Sequence, residues 1–187
     1  MVKDFRRFVK DIEGKKLLDL GCGNGRNLKY FKEYGADVVG IDISPTAISY
    51  TDGLGKVGDI GKELPFNDNE FDIILDVTSS NALNDAEREI YIKEIYRVLK
   101  PGGYVFVRAL CKDGDDNAKN LIKMSPGKEK DTYYMKELDL YERVFTKEDF
   151  LDLYKEFKVI ELEKDTHYAR LNNRRYKRNY WVVYLQK

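Results

Sequence analysis

The apolar run Leu17-Leu18-Asp19-Leu20 leads straight into Gly21-Cys22-Gly23-Asn24-Gly25, and Arg26-Asn27-Leu28-Lys29-Tyr30-Phe31 follows. A short apolar run, a turn with glycine at every second position and the opening of a helix describe one unit: buried strand, tight turn, helix N-terminus. The turn needs glycine because its backbone takes dihedrals closed to other residues and lets a ligand approach where a Cβ would stand. The helix behind it offers unpaired N–H groups to that ligand. A strand that feeds a crossover helix belongs to an α/β sheet with parallel neighbours.

The ligand class follows from what departs from the dinucleotide pattern. A dinucleotide loop reads G-x-G-x-x-G, its last glycine allowing close packing at the pyrophosphate. Counted from Gly21, that last position holds Arg26, and an acid, Asp19, stands two residues before the first glycine. A carboxylate there suits a ligand with positive charge and disfavours one with phosphates. The pattern resembles the first motif of class I S-adenosylmethionine-dependent methyltransferases, whose ligand carries an ammonium and a sulfonium. Leu64-Pro65-Phe66 followed by Phe71-Asp72, and Leu99-Lys100-Pro101-Gly102-Gly103, are further matches to that family. The likeness covers roughly Lys15 to Leu110. It implies a Rossmann-like three-layer α/β sandwich, with a mostly parallel seven-stranded sheet whose last strand is antiparallel.

The same resemblance implies the cofactor and its contacts. Asp19, Gly21, Cys22, Gly23, Asn24 and Gly25 form the loop that holds S-adenosyl-L-methionine, with S-adenosyl-L-homocysteine as product. Asp42 ends the second apolar strand where nucleotide-type folds place the carboxylate that binds a ribose diol, its two oxygens matching two hydroxyl donors. Ile43 follows it at the cofactor. Asp59 falls where the family has an acid facing the adenine amino group, and Ile60 offers a backbone N–H to the ring. Asp76 and Asn81 bracket the end of the fourth strand, a candidate wall between the methionine part of the cofactor and the acceptor.

Composition narrows the partners. At 187 residues the chain has the length of one domain with a sizeable core. The 33 basic and 33 acidic residues cancel, which counts against non-specific nucleic-acid binding. With one histidine and two cysteines there is no zinc-site pattern, and Cys22 inside the turn fits a free thiol in a reducing cytoplasm. No apolar stretch is long enough to span a bilayer.

In chain order, residues 1–14 carry Phe5, Phe8, Val9 and Ile12 at helical spacing. Residues 15–110 form the cofactor-binding half. Strands are expected at Lys16–Leu20, Ala36–Ile41, Lys56–Ile60, the run ending at Val77, and Tyr104–Leu110. Ser44-Pro45 caps a short helix over Thr46–Asp52, and Asn84-Asp85-Ala86-Glu87 opens one over Glu87–Lys100. Residues 111–145 turn polar, as a lid or substrate insertion does, with Asp131–Phe145 ambiguous between strand and helix. Residues 146–187 read as a helix opened by Thr146, then strands over Lys158–Leu162 and Tyr180–Leu185.

Between those last strands lie His167, Arg170, Arg174 and Arg175. If the sixth strand runs parallel to the first, this hairpin tip faces the cofactor edge of the sheet. His167 is then a candidate general base and the arginines candidate binders of a carboxylate or phosphate. The expected function is methyl transfer by in-line displacement to a small-molecule acceptor. The alternatives are an RNA methyltransferase that uses the basic hairpin, or a non-catalytic cofactor-binding subunit or sensor.

Overall fold

A computed structural model describes residues 9, 11–171 and 174–187, without the side chains of 169–171 and 174–175. The first strand, β1 (Lys16–Leu20), is buried from Leu17 onward, as its near-continuous apolar run requires for a parallel strand covered on both faces. Helix α1 (Arg26–Glu33) buries Leu28 and Phe31 and hands over to β2 (Asp37–Asp42). Helix α2 (Pro45–Ile48) starts on the Ser44 cap, whose Oγ accepts the Ala47 N–H at 3.2 Å. Three-residue β3 (Gly55–Val57) follows, then β4 (Phe71–Val77). Helix α3 (Asp85–Val98) opens with the expected reciprocal cap: Asn84 Oδ1 accepts the Glu87 N–H and Glu87 Oε2 accepts the Asn84 N–H, both at 2.9 Å. Strand β5 (Leu99–Leu110) follows.

The polar insertion is more ordered than its composition implies. It holds helix α4 (Asp116–Met124) and a hairpin of β6 (Thr132–Met135) and β7 (Leu140–Arg143), which settles the ambiguous segment as strand. Helix α4 is held by Asp115, whose Oδ1 accepts the Ala118 N–H at 2.8 Å while Oδ2 accepts the Asn179 N–H at 2.7 Å. Helix α5 (Lys147–Leu153) starts on the Thr146 cap as expected. Strands β8 (Lys158–Leu171) and β9 (Arg174–Gln186) are longer than the sequence pattern indicates. The charged segment between the two apolar runs continues the ladder out to the Leu171–Arg174 pair.

Among the described residues the main sheet has seven strands in the order β3-β2-β1-β4-β5-β9-β8. Strand β9 is antiparallel to both neighbours and the other pairings are parallel, the expected arrangement. Strand β8 therefore runs parallel to β5, and the hairpin tip projects beyond the C-terminal edge of the sheet. One core lies on the α3 and α5 face, built on Leu18, Leu20, Ile74, Ile95 and Phe150. The other lies on the α1 face, built on Leu17, Phe31, Leu75 and Phe106. Of the expected N-terminal helix, residues 1–8 and 10 lie outside the described residues, and Asp11 and Ile12 are not helical. No helix among the described residues is long and apolar enough to cross a membrane.

Candidate cofactor and acceptor site

Strand order reverses between β1 and β4, and in open α/β sheets such a switch point opens a crevice at the C-terminal strand ends. The glycine turn sits there. Its first residues fasten to the end of β2: the Gly21 and Cys22 N–H groups both donate to the Ile41 carbonyl, at 2.7 and 3.1 Å. Gly23 N–H donates to Asp42 Oδ2 at 2.8 Å and Ser44 N–H to Asp42 Oδ1 at 2.9 Å. Each Asp42 oxygen thus has one fixed donor and a second lone pair for a hydroxyl. Ile43, next in the chain, is 71% exposed, an apolar side chain left in the open beside that carboxylate.

Gly21 and Gly23 are glycine for different reasons. Both have positive φ, 66° and 52°. A Cβ on Gly21 would also stand 2.2 Å from Ser79 Oγ, because the turn after β4 packs against the loop and Ser79 Oγ donates to the Gly21 carbonyl at 3.3 Å. A Cβ on Gly23 would meet nothing within 4 Å. Packing within the chain does not demand a glycine there, and the space beside it is open for a ligand.

Asp19 supplies the charge. It is 1% exposed, and its Oδ2 has no hydrogen-bond partner among the described residues. Burial pushes its carboxyl up to about 7, against a lowering hydrogen bond from Asn27 and with the Asp76 and Asp42 charges adding to the rise. An isolated buried carboxylate is costly unless paired, so this oxygen is matched to a cation. The ammonium and sulfonium of S-adenosylmethionine fit an acid whose remaining neighbours are also acids. Cys22 is a different matter: its thiol is buried, pushed up to about 12 by burial and then by Asp19, and packed against Gly40. It offers the ligand backbone rather than side chain. Asn24 is exposed at the loop apex, and Gly25 leads into α1.

Past β3, Asp59 Oδ1 accepts the Gly61 N–H at 2.9 Å and Oδ2 lies 3.6 Å from Lys62 Nζ. The Ile60 side chain is buried in the core, which leaves its backbone as the expected ring contact.

Asp76 is bonded within the chain. Its Oδ1 accepts the N–H groups of Ser79 and Ser80, at 2.9 and 3.3 Å, and Oδ2 accepts the Tyr91 hydroxyl at 2.7 Å. Register pairs it with Leu20, so it points to the α3 face, opposite Asp19. It braces the turn after β4. In that turn Thr78 holds φ 66°, an outlier for a β-branched residue, with its N–H on the Arg108 carbonyl at 2.7 Å. Nothing in the local sequence signals that strain. Asn81, 1% exposed, spans from the turn to β5: its Oδ1 accepts the Leu110 N–H at 3.2 Å.

The structure does not bring His167 to this site. Its Nε2 is 2.9 Å from Asp165 Oδ2 on β8, and β8 lies three strands beyond β4, roughly 14 Å at ordinary strand spacing. The backbones of Arg170, Arg174 and Arg175 stand at the hairpin tip, and their side chains lie outside the described residues.

Comparison with known proteins agrees with this geometry. Residues 18–107 match the model of the methyltransferase domain family. An uncharacterized methyltransferase of Synechocystis is 36% identical over 100 residues, 48% of this chain and 44% of that protein. A fatty-acid O-methyltransferase of Mycolicibacterium smegmatis is 34% identical over 102 residues, 50% of this chain and 36% of that protein. The chain thus spans less than half the length of these relatives. A crystal structure of an S-adenosylmethionine-dependent methyltransferase from Methanosarcina mazei superposes with a TM-score of 0.79 over 96% of both chains, at 23% identity. The glycine loop, the acid before it and the sheet order all agree with these likenesses: residues 18–107 carry a match to the methyltransferase domain, and the chain has the fold of a solved S-adenosylmethionine-dependent methyltransferase.

Proposed function

We propose that the chain transfers a methyl group from S-adenosyl-L-methionine to a small-molecule acceptor by in-line displacement. The single observation behind the reading is the unpartnered Asp19 Oδ2 at the end of β1, buried beside a loop with open space at Gly23. Bound there, the cofactor supplies a methyl carbon already activated by its positive sulfur. The chain's task is to hold. Asp42 binds the ribose hydroxyls, Ile43 packs against the base, and Asp59 and the Ile60 backbone meet the adenine edge. Asp19 balances the positive charge, and the Gly21–Gly25 backbone lies along the methionine part. The turn after β4, strained at Thr78 and braced by Asp76, forms the wall an acceptor must pass. Fixing nucleophile and methyl carbon in line is worth about 7 kcal/mol or more, so orientation alone supports much of the rate.

A small acceptor is favoured by the zero net charge and by the fatty-acid substrate named for one relative. The RNA reading rests on the arginines of the hairpin tip. His167 lies 2.9 Å from Asp165 on β8, at the far side of the sheet from the glycine loop. Two buried free cysteines fit the reducing cytoplasm.

The test is transfer of labelled methyl from S-adenosylmethionine into fractionated cell extract, with Asp42→Ala as control. Label in a small-molecule fraction that vanishes in the variant is the expected result. Label in RNA or protein replaces the acceptor class. Cofactor binding by calorimetry with no label in any fraction would make the chain a sensor or subunit.

A further inference from the structure

A cavity of about 280 Å³ lies between the turn after β4 and the β6–β7 hairpin. Asn81 and Leu83 of the turn, Glu87 of α3, and Lys128, Tyr141 and Arg143 of the insertion form much of its wall. It adjoins the residues around the glycine loop and Asp59 at two points. Asn81 is two residues past Ser79, which touches Gly21. Gly61, two residues past Asp59, would place a Cβ 2.8 Å from Glu87 Cβ.

The charges around this cavity are unequally engaged. The acids serve the first turn of α3: both Glu129 oxygens accept the Asp85 N–H at 3.1 Å, and Glu87 Oε2 accepts the Asn84 N–H. Asp85 itself accepts from Arg143 Nη1. The cations are less satisfied. Arg143 Nε has no hydrogen-bond partner among the described residues, and its guanidinium lies 5.4 Å from the Phe145 ring centre. Lys128 Nζ stands 5.4 Å over the ring of Tyr141. Behind the wall, the guanidinium of buried Arg88 lies 5.2 Å from the centre of that same Phe145 ring, and its hydrogen bonds run to the neutral carbonyls of Ser80, Leu83 and Asn84. Burial and then the Arg143 charge hold Arg88 below the usual guanidinium range.

We infer that this cavity is the acceptor site and that its acceptor is a small organic acid, an anionic oxygen group on a flat apolar body. The inference rests on the methyltransferase reading. An anion beside Lys128 and Arg143 offsets the repulsion between Arg143 and Arg88 and takes the donors that the chain leaves without acceptors. The Tyr141 ring and Leu83 receive the flat body. The volume, about 280 Å³, falls just below the usual range for small-molecule sites, roughly 300–1,000 Å³, so the methyl acceptor enters whole only if it is small.

The test uses benzoate, benzyl alcohol and benzylamine as probes of matched shape and differing charge, titrated by nuclear magnetic resonance with and without saturating S-adenosylhomocysteine. Benzoate is expected to bind about tenfold more tightly than either companion, the worth of one charge-assisted hydrogen bond. Lys128→Gln, an exposed substitution that keeps the fold, removes most of that preference and leaves S-adenosylhomocysteine affinity unchanged. Arg143→Lys keeps the charge and retains part of the preference. Equal binding of the three probes, preference for benzylamine, or benzoate binding indifferent to Lys128→Gln overturns the inference. Loss of S-adenosylhomocysteine affinity in Lys128→Gln also overturns it, by assigning the cavity to the cofactor. Failure of the unaltered protein to bind S-adenosylhomocysteine would instead sink the methyltransferase reading, and benzoate preference in its absence is read separately.

Discussion

The ends of β1 and β4 lie side by side, and each carries a buried aspartate, but the two acids are treated in opposite ways. Asp76 has a donor on every side: two backbone N–H groups on one oxygen and the Tyr91 hydroxyl on the other. Asp19 keeps one oxygen without a partner. Burial raises the proton affinity of both. A fully bonded buried carboxylate is a structural brace, whereas a half-bonded one is held for something that arrives later. Register explains how neighbouring strands hold both without conflict. Asp76 pairs with Leu20, one residue out of step with Asp19, so the two point to opposite faces.

The largest effect comes from breaking the brace. Asp76→Ala leaves Tyr91 and the turn N–H groups without their acceptor and is expected to cost roughly 4 kcal/mol, a fall in melting temperature of roughly 12 °C. Thermal unfolding at neutral pH reads it. A loss below about 1 kcal/mol would place Asp76 on the ligand side after all.

Much of the β1 end was legible because its cause is local. Strand, glycine turn, Asp19 and Asp42 are written within residues 16–42, and the geometry assembles them as the pattern implies. The β4 end was not, because its parts come from elsewhere. Tyr91, which decides what Asp76 does, is on α3, and the positive φ of Thr78 falls on a residue type that avoids it. The insertion shows the same limit. Asp115 is a readable helix cap, but what fixes it is Asn179, 64 residues away. The hairpin arginines were legible as charge and in topology, whereas the cavity formed by Lys128, Tyr141 and Arg143 depends on a fold-back that no spacing announces.

A smaller effect, opposite in sign, belongs to Asp19. The folded protein holds its proton up to about pH 7, while the unfolded chain releases it near the ordinary carboxyl value of 3.8. Between these limits the native state binds more protons, so the stability of the ligand-free protein falls as pH rises through the window and levels off above it. Asp19→Asn removes that charge and is expected to stabilise the ligand-free protein by about 2 kcal/mol at pH 8, with a shallower pH slope. Cofactor affinity moves the other way. In the unaltered protein it rises with pH through about 7, as the ionised form meets its cation, and in Asp19→Asn it is weak and flat. Denaturant unfolding and calorimetry across that range separate the two. A variant that is destabilised at pH 8 would make Asp19 a second brace.

The finest test uses Gly23, where the chain itself makes no steric demand. A Cβ there meets nothing within 4 Å, so Gly23→Ala has only the positive φ of 52° to contend with, about 1 kcal/mol for an alanine in the left-handed region. Its N–H still reaches Asp42. If the open space belongs to a ligand, the same methyl group stands in the path of the cofactor, and affinity falls further than stability, about tenfold or more against that 1 kcal/mol. At Gly21 the two losses come together, because a Cβ there meets Ser79 before it meets any ligand. Equal losses at Gly23 would mean that the loop is shaped by its own packing. Unequal ones would mark the residue whose shape the ligand alone dictates.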